Sequence, residues 1–345
     1  MEDLHSQVGP EGKTPFSVPD TKFEPTEEGL HKGLVVESTG IWTQVKLVDD
    51  NNTVSNIVSS RLPGRQRLED SDYAHPIAVG DWVKVSLEDD DSGIIQYIYP
   101  RKNGLPRQST HTRRQSQLLL ANLDFLWLVQ SARQPRVNTR FIDRCLVACE
   151  AYDIPVGLII NKLDLARRTD KEHLQRVIDI YAEIDVPTYT CSVLHEDGLE
   201  PIQAQMGGKV SAFFGPSGVG KSSLLNAVDP TLELNTAPIS SSTGKGTHTT
   251  TYAVMVEPQG YPEGTMIADT PGIRELGLVG IPVEELSHYF SEMTEHRSRC
   301  KYSDCSHLHE PGCGVQEAVK RGKITQERYD SYQAIYDTLK VPEEY

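Results

Sequence analysis

Gly215-Pro216-Ser217-Gly218-Val219-Gly220-Lys221-Ser222 decides how this chain is read. Ahead of it, Lys209 to Phe214 is a short apolar run that predicts a strand. Behind it, Ser223 to Val228 predicts the first turns of a helix. Strand, glycine-rich loop and helix in that order is the context a Walker A phosphate loop needs. Glycines let backbone N–H groups turn around phosphate oxygens, and the helix N-terminus adds positive potential. Gly215 to Ser223 then wrap the phosphates, Lys221 reaches the β- and γ-phosphates, and the Ser222 hydroxyl ligates magnesium. An ordinary Gly/Ser turn is the competing reading, and the fixed positions in this context weigh against it.

Upstream, strands and helices alternate from Ala121 onward. Leu123 to Val129 and Pro155 to Ile160 predict strands, Arg140 to Tyr152 and Asp170 to Glu183 predict helices, and Thr188 to Thr190 leads into Cys191-Ser-Val193. That alternation predicts a mostly parallel sheet with helices on both faces. Cys145, Cys149 and Cys191 lie in apolar elements and read as core. Asn161-Lys162-Leu163-Asp164 closes the second strand. A carboxylate there accepts from both N1–H and the exocyclic amine of guanine, a donor pair adenine lacks. Lys162 lies along the base and Asn161 braces the loops. Ser192-Val193 matches the short loop whose backbone touches guanine, with Val193 where alanine is usual. GTP, not ATP, is therefore the expected ligand, which also disfavours a P-loop kinase of small substrates. The base-reading motif precedes the phosphate loop by about fifty residues, the reverse of the ordinary order. Joining the old termini and opening new ones produces that order. The domain reads as a circularly permuted GTPase.

Downstream, Gly244 to Thr251 stands where switch I belongs, and Thr249 or Thr250 is the expected magnesium ligand. Thr251 to Val256 and Thr265 to Ala268 predict strands. Asp269-Thr-Pro-Gly272 follows, with Asp269 holding magnesium through water and the Gly272 N–H sensing the γ-phosphate. Ile273 cannot orient the attacking water as glutamine does in Ras-like enzymes, which leaves His248 as the catalytic candidate. Near the end, Cys300, Cys305, His307 and Cys313 fall within fourteen residues, matching a closed tetrahedral structural zinc site, with His309 a rival fourth ligand. Val315 to Arg321 and Thr325 to Leu339 predict helices.

Before the GTPase segment, residues 1–28 are acidic, proline-punctuated and without periodicity, a composition that predicts a disordered tail. Between His31 and Pro100 come five short alternating runs, which suit a small closed barrel such as an OB-fold. That segment carries six basic and eleven acidic side chains, so contact with RNA is expected to be local, at Arg61, Arg65 and Arg67. Arg101 to Arg114 has five basic residues and no acidic one and reads as a basic linker. The whole chain of 345 residues has net charge −15, which excludes indiscriminate binding to nucleic acid or anionic membrane. No apolar run approaches a membrane span and no signal peptide is legible, so a cytoplasmic protein without membrane partners is expected.

Barrel, permuted GTPase motifs and a Cys-x4-Cys-x-His-x5-Cys tail together resemble the RsgA (YjeQ) family over about residues 31–323. Val79-Gly-Asp-Trp-Val83, Ala121-Asn-Leu-Asp124 and Thr249-Thr250 after His248 carry the resemblance further. Thr247, where the family has a basic residue, departs from it, and the acidic tail lies outside it. The chain is expected to be a multidomain protein: tail 1–28, N-terminal all-β OB-fold barrel 31–100, basic linker 101–120, central α/β circularly permuted P-loop GTPase domain 121–280, and C-terminal α-helical zinc-binding domain 281–345. The protein is expected to be a monomer with one structural zinc, and magnesium with GTP or GDP. Its implied activity is GTP hydrolysis on the small ribosomal subunit and its rRNA in late maturation, with hydrolysis driving release. The alternative is a non-catalytic RNA-binding assembly factor that uses GTP only as a conformational ligand.

Overall fold

The computed structural model describes residues 29–39, 41–48, 54–63, 76–89, 92–107, 117–232, 253–269 and 276–340. The tail expected over 1–28 lies outside them. The chain divides into two compact units.

The first unit is built on strands β1 (Leu30–Ser38), β2 (Thr43–Val48), β3 (Val54–Arg61), β4 (Trp82–Leu87) and β5 (Gly93–Ile98). They pair in the order β1-β2-β3-β5-β4, and β1 pairs again with β4 to close a five-stranded barrel. Alternation explains the closure: Thr43, Val45 and Leu47 of β2 face inward with Val35, Val58, Val83, Val85 and Ile95, while Gln44 and Lys46 face out. Gly33 is small by necessity, because a Cβ there would lie 2.4 Å from Val45 Cγ1 across the pair.

The segment expected to be a basic linker differs from that reading. It contains an antiparallel pair, β6 (Gly104–Arg107) and β7 (Gln117–Ala121), with Leu105, Leu118 and Leu120 buried. Arg101 is not a solvated charge. Its Nε and Nη2 donate to both oxygens of Asp81 at 2.6 Å, Nη2 also reaches the Pro76 carbonyl at 2.7 Å, and both side chains are at most 1% exposed. A bidentate pair with its remaining lone pairs used is the geometry that makes a buried ion pair tolerable. Gly80, before Asp81, holds φ 94°, and a Cβ there would meet the Ala121 carbonyl oxygen at 2.1 Å. The Gly-Asp-Trp signature is thus a packing requirement between barrel and hairpin.

The second unit runs β8 (Phe125–Ser131), α1 (Thr139–Ala151), β9 (Val156–Asn161), α2 (Arg168–Ala182), β10 (Thr188–Thr190), α3 (Glu200–Met206), β11 (Val210–Phe214) and α4 (Lys221–Val228). Its strands are parallel in the order β10-β9-β8-β11. β8 is buried at every position, as a strand covered on both faces must be. Cys145, Cys149 and Cys191 are buried as expected, and burial pushes each thiol above its usual range, Cys191 to about 12. Helix α3 went unread in the sequence, where only Ile202 and Met206 mark its buried side.

Two strands, β12 (Val254–Val256) and β13 (Met266–Asp269), pair antiparallel and belong to the barrel's unit, where Val254 pairs with Glu37 of β1. The C-terminal helices α5 (Thr294–Arg297), α6 (Gly314–Lys320) and α7 (Gln326–Lys340) belong to the second unit. Arg328 of α7 docks them on α1: Nη1 donates to Asp143 at 2.7 Å, and Nε and Nη2 donate to Glu292 at 2.7 and 3.2 Å. Tyr181 adds a hydroxyl bond to Asp143 at 2.9 Å, and Phe290 lies against the guanidinium. Burial raises the Asp143 carboxyl above its usual range, opposed by Arg328. Among the described residues no helix is long and apolar enough to cross a membrane.

Candidate functional site

The phosphate loop sits between the end of β11 and the start of α4. Gly215 must be glycine because a Cβ would lie 2.1 Å from the Val129 carbonyl oxygen of the neighbouring strand. Gly218 and Gly220 hold φ of 82° and 93°, the left-handed region that turns successive N–H groups one way. Lys221 Nζ donates to the carbonyls of Gly215 and Pro216 at 2.6 and 3.0 Å, which keeps the ammonium over the loop. Val219 is buried and anchors the loop; Ser217 and Gly218 are exposed at its crest.

Asn161 binds this loop to the loop that follows β9. It is 1% exposed at the end of β9. Its Nδ2 donates to the Val219 carbonyl at 3.1 Å, while its Oδ1 accepts from Lys162 N at 2.7 Å and Val193 N at 3.3 Å. Three loops separated in sequence are thereby clamped by one amide. Lys162, at φ 60°, sends Nζ to the Gln134 carbonyl at 3.1 Å and to the Gly218 carbonyl, so its stem spans the two loops. Asp164 is half-buried, and Ser192 Oγ donates to its Oδ1 at 2.6 Å, which orients the carboxylate. Leu163 holds its loop to the next through a bond from its N–H to the Cys191 carbonyl at 3.2 Å. Asn161, Lys162, Leu163, Asp164, Ser192 and Val193 therefore converge with Gly215 to Ser223 in one unit.

His248, Thr249, Thr250, Gly272, Arg65 and Arg67 lie outside the described residues. Asp269 is placed by its backbone, as the last residue of β13. Arg61 is exposed on β3, paired with Glu88 at 3.1 Å and 5.8 Å from the Trp42 ring.

The cysteine–histidine cluster forms a second centre. Ligand atoms of Cys300, Cys305, His307 and Cys313 all lie within 4.8 Å of one another. Cys300 Sγ and Cys313 Sγ are 3.9 Å apart, and each is 3.5 Å from His307 Nδ1. Zinc bonds of about 2.3 Å to sulfur and 2.05 Å to nitrogen give tetrahedral edges of roughly 3.8 Å between sulfurs and 3.6 Å from sulfur to nitrogen. The donor set fits such an ion. Backbone N–H groups of Gly314 and Gln316 point at Cys300 and Cys313 sulfurs at 3.3 and 3.4 Å, as thiolates require. Tyr329 and Tyr332 hold the loop from α7, donating to the carbonyls of His307 and Ser306 at 2.7 and 2.8 Å. His309, the rival ligand, is exposed and stands outside the cluster.

Residues 98–279 match the family model described as RsgA GTPase. The chain belongs to that family. It is 40% identical over 303 residues to the small ribosomal subunit biogenesis GTPase RsgA of Bacteroides fragilis, covering 87% of this chain and 94% of the relative. The RsgA of Porphyromonas gingivalis is 36% identical over 307 residues, covering 88% and 96%. Among solved structures, YjeQ from Thermotoga maritima superposes with a TM-score of 0.72 at 32% identity, over 90% of this chain and 98% of that one. YloQ, described as a circularly permuted GTPase, superposes at 0.69 with 29% identity over 93% and 100%. An RsgA-family GTPase with permuted motif order is a GTP hydrolase, as the sequence reading holds.

Two parts of this RsgA-family site were not legible in the sequence. The Gln134 carbonyl positions Lys162, yet a backbone oxygen leaves no signature. Ser192 is fixed by backbone bonds exchanged with Asp197 at 3.0 and 3.1 Å. Gly198 must follow, since at φ 73° a Cβ there would meet the Thr190 oxygen at 2.3 Å. An Asp-Gly turn pair at Asp197-Gly198 was the available signal.

Proposed function

We propose that this GTPase acts on the small ribosomal subunit late in its maturation, hydrolysing GTP to GDP and phosphate, with hydrolysis driving release. The observation that carries the nucleotide part is the clamp at Asn161, which joins base-reading and phosphate loops in one unit. The ribosomal part is supported by the curated relatives, whose names assign them to small-subunit biogenesis.

Asp164 accepts from N1–H and the 2-amino group of guanine, Lys162 covers the base, and Ser192 and Val193 hold the carboxylate and the loop behind it. Backbone N–H groups from Gly215 to Ser223 surround the phosphates and Lys221 neutralises the β- and γ-oxygens. Magnesium, when bound with the nucleotide, withdraws charge from the phosphates; Ser222, Thr249, Thr250 and Asp269 are the residues to hold it. The Gly272 N–H faces the γ-phosphate. His248 orients the water that attacks the γ-phosphorus as the bond to the bridging oxygen breaks.

The division into tail, barrel, linker region, GTPase domain and helical zinc domain follows the sequence boundaries. The strand order β1-β2-β3-β5-β4 supports an OB-fold. Cys300, Cys305, His307 and Cys313 hold one structural zinc. The barrel contacts rRNA, with Arg61, Arg65 and Arg67 contributing. The protein works as a cytoplasmic monomer, where small subunits mature.

GTP turnover with and without purified small subunits tests the proposal. Multiple turnovers accelerated by subunits are expected. One turnover or none, with GTP-dependent subunit binding intact, would favour the non-catalytic assembly factor.

A further inference from the structure

Residues 132–137, between β8 and α1, carry no motif, yet the turn they form stands at the nucleotide site. The Gln134 carbonyl accepts from Lys162 Nζ at 3.1 Å, and a Cβ on Gly218 would lie 3.9 Å from Pro135 Cδ. Gln134 and Lys162 both hold left-handed backbone, at φ 58° and 60°. Neither is glycine, so each conformation costs strain. Such strain persists only where surrounding contacts over-determine it, and it gathers at ligand clamps.

What holds Gln134 is a carboxylate on another element. Asp170, in the first turn of α2, is 3% exposed. Its Oδ1 accepts from Arg136 Nη2 at 2.9 Å, and its Oδ2 accepts from Arg133 Nη1 at 3.2 Å and from Arg167 N at 2.9 Å. The two arginines bracket Gln134 and Pro135, and Ser131 Oγ donates to the Pro135 carbonyl at 2.6 Å. The turn is thereby pinned on both sides of the oxygen that meets Lys162. Capping α2 requires one acceptor at this position, which a neutral glutamine also supplies. A buried carboxylate shared by two arginines of one turn is more than a cap requires.

We propose that Asp170 is a positioning residue for the nucleotide: through Arg133 and Arg136 it fixes the Gln134 carbonyl, which holds the Lys162 stem along the guanine base. The inference rests on the reading of Lys162 as the residue that covers the base, and adds what places it. Lys162 Nζ is anchored by two carbonyls from different loops, those of Gln134 and Gly218. An ammonium held by two fixed oxygens keeps its four-carbon stem in place, so little freedom is lost when a base arrives. With the Gln134 oxygen loosened, the side chain regains rotamers that binding must then quench. The base edge is read by Asp164, not by the stem. The penalty therefore falls on affinity for every purine nucleotide alike and leaves discrimination among them unchanged.

The test is a double-mutant cycle on nucleotide affinity in the full-length protein, read by competition of GTP and inosine triphosphate against a fluorescent guanine nucleotide. Asp170→Asn keeps an acceptor for Arg167 N and removes the charge the arginines need. It is expected to weaken GTP and inosine triphosphate by about ten-fold each, the worth of one charged hydrogen bond, at an unchanged ratio. Arg136→Gln is expected to weaken both about three-fold. In a Lys162→Ala background the same Asp170→Asn change is expected to have no further effect, because the stem it positions is gone. Arg136 is exposed, so its variant carries the test if Asp170→Asn fails to fold, and melting curves establish which variants are intact. Wild-type affinity in an intact Asp170→Asn protein would overturn the proposal. So would a loss that persists in full in Lys162→Ala, which makes Asp170 a residue of general stability, or a changed ratio of the two nucleotides, which places its effect on Asp164. Wild-type GTP affinity in Lys162→Ala alone would instead overturn the reading of Lys162 as the base cover, and the proposal with it.

Discussion

Guanine specificity is expected to rest on Asp164, and Asp164→Asn tests it with a magnitude set by the geometry. Ser192 Oγ takes one lone pair of Asp164 Oδ1 at 2.6 Å. The other Oδ1 lone pair and Oδ2 remain, two acceptors for the two donors on guanine. Hydrogen bonds to a charged group contribute about 1.5–3 kcal/mol each, so the pair is worth roughly 3–6 kcal/mol, and the amide, which keeps one neutral acceptor and sets a donor against a donor, forfeits part of it. Because Asp164 is half-buried, the lower half of that range applies. At about 1.4 kcal/mol per decade, GTP binding should weaken by ~10²–10³-fold. In the variant the Ser192 hydroxyl keeps its acceptor, so the new amide nitrogen takes the place of Oδ2 and opposes the 2-amino group of guanine. Xanthine carries an oxygen where guanine carries the 2-amino group and can accept from that amide. Xanthosine triphosphate should therefore overtake GTP. Fluorescent-nucleotide titration with both unlabelled competitors measures the switch. Unchanged GTP affinity would refute the assignment of Asp164 to the base. Equal weakening of both nucleotides would instead make Asp164 a structural residue of its loop. Ser192→Ala, which only frees the carboxylate, should cost about 1 kcal/mol, or roughly five-fold.

Gly220→Ala should impair nucleotide binding more than Gly218→Ala: both have positive φ, but only at Gly220 does the added Cβ strike a clamp atom, Asn161 Nδ2 at 2.5 Å. Equal affinities in the two variants would show that Asn161 yields without consequence. Cys305→Ala should release one zinc per chain, measured by elemental analysis, and unfold the C-terminal loops, since structural zinc contributes ~10–16 kcal/mol of apparent binding energy in small domains. A metal-free wild type under reducing, metal-replete conditions contradicts this. Arg328→Met leaves Asp143 and Glu292 as uncompensated buried carboxylates and should destabilise the second unit by about 3–5 kcal/mol in denaturant melts. Adding Asp143→Leu should recover part of the loss. His248→Ala should lower subunit-stimulated turnover by ~10²-fold or more while leaving binding of a non-hydrolysable GTP analogue intact. Full stimulated turnover would place the catalytic group on the ribosome.

Local chemistry made much of this protein legible in its sequence. A phosphate loop needs glycines at positions set by backbone geometry, and a guanine reader needs one carboxylate at a strand end, so both are written in consecutive residues. The cysteine–histidine spacing is local for the same reason, and the alternation of β2 reveals a barrel face because a strand's period is two. Tertiary structure decided what depends on residues distant in sequence. Asn161 shows in the sequence only as the first letter of a motif, whereas its role as a clamp needs Val219 and Val193 brought to it from two other loops. Arg101 belonged by composition to a basic run, yet folding pairs it with Asp81, twenty residues earlier, and removes both charges from solvent. Arg133, Arg136 and Asp170 carry no motif, and only the fold brings the turn after β8 to the first turn of α2. Which turns meet is settled by which apolar faces can be buried together, and no single element contains it.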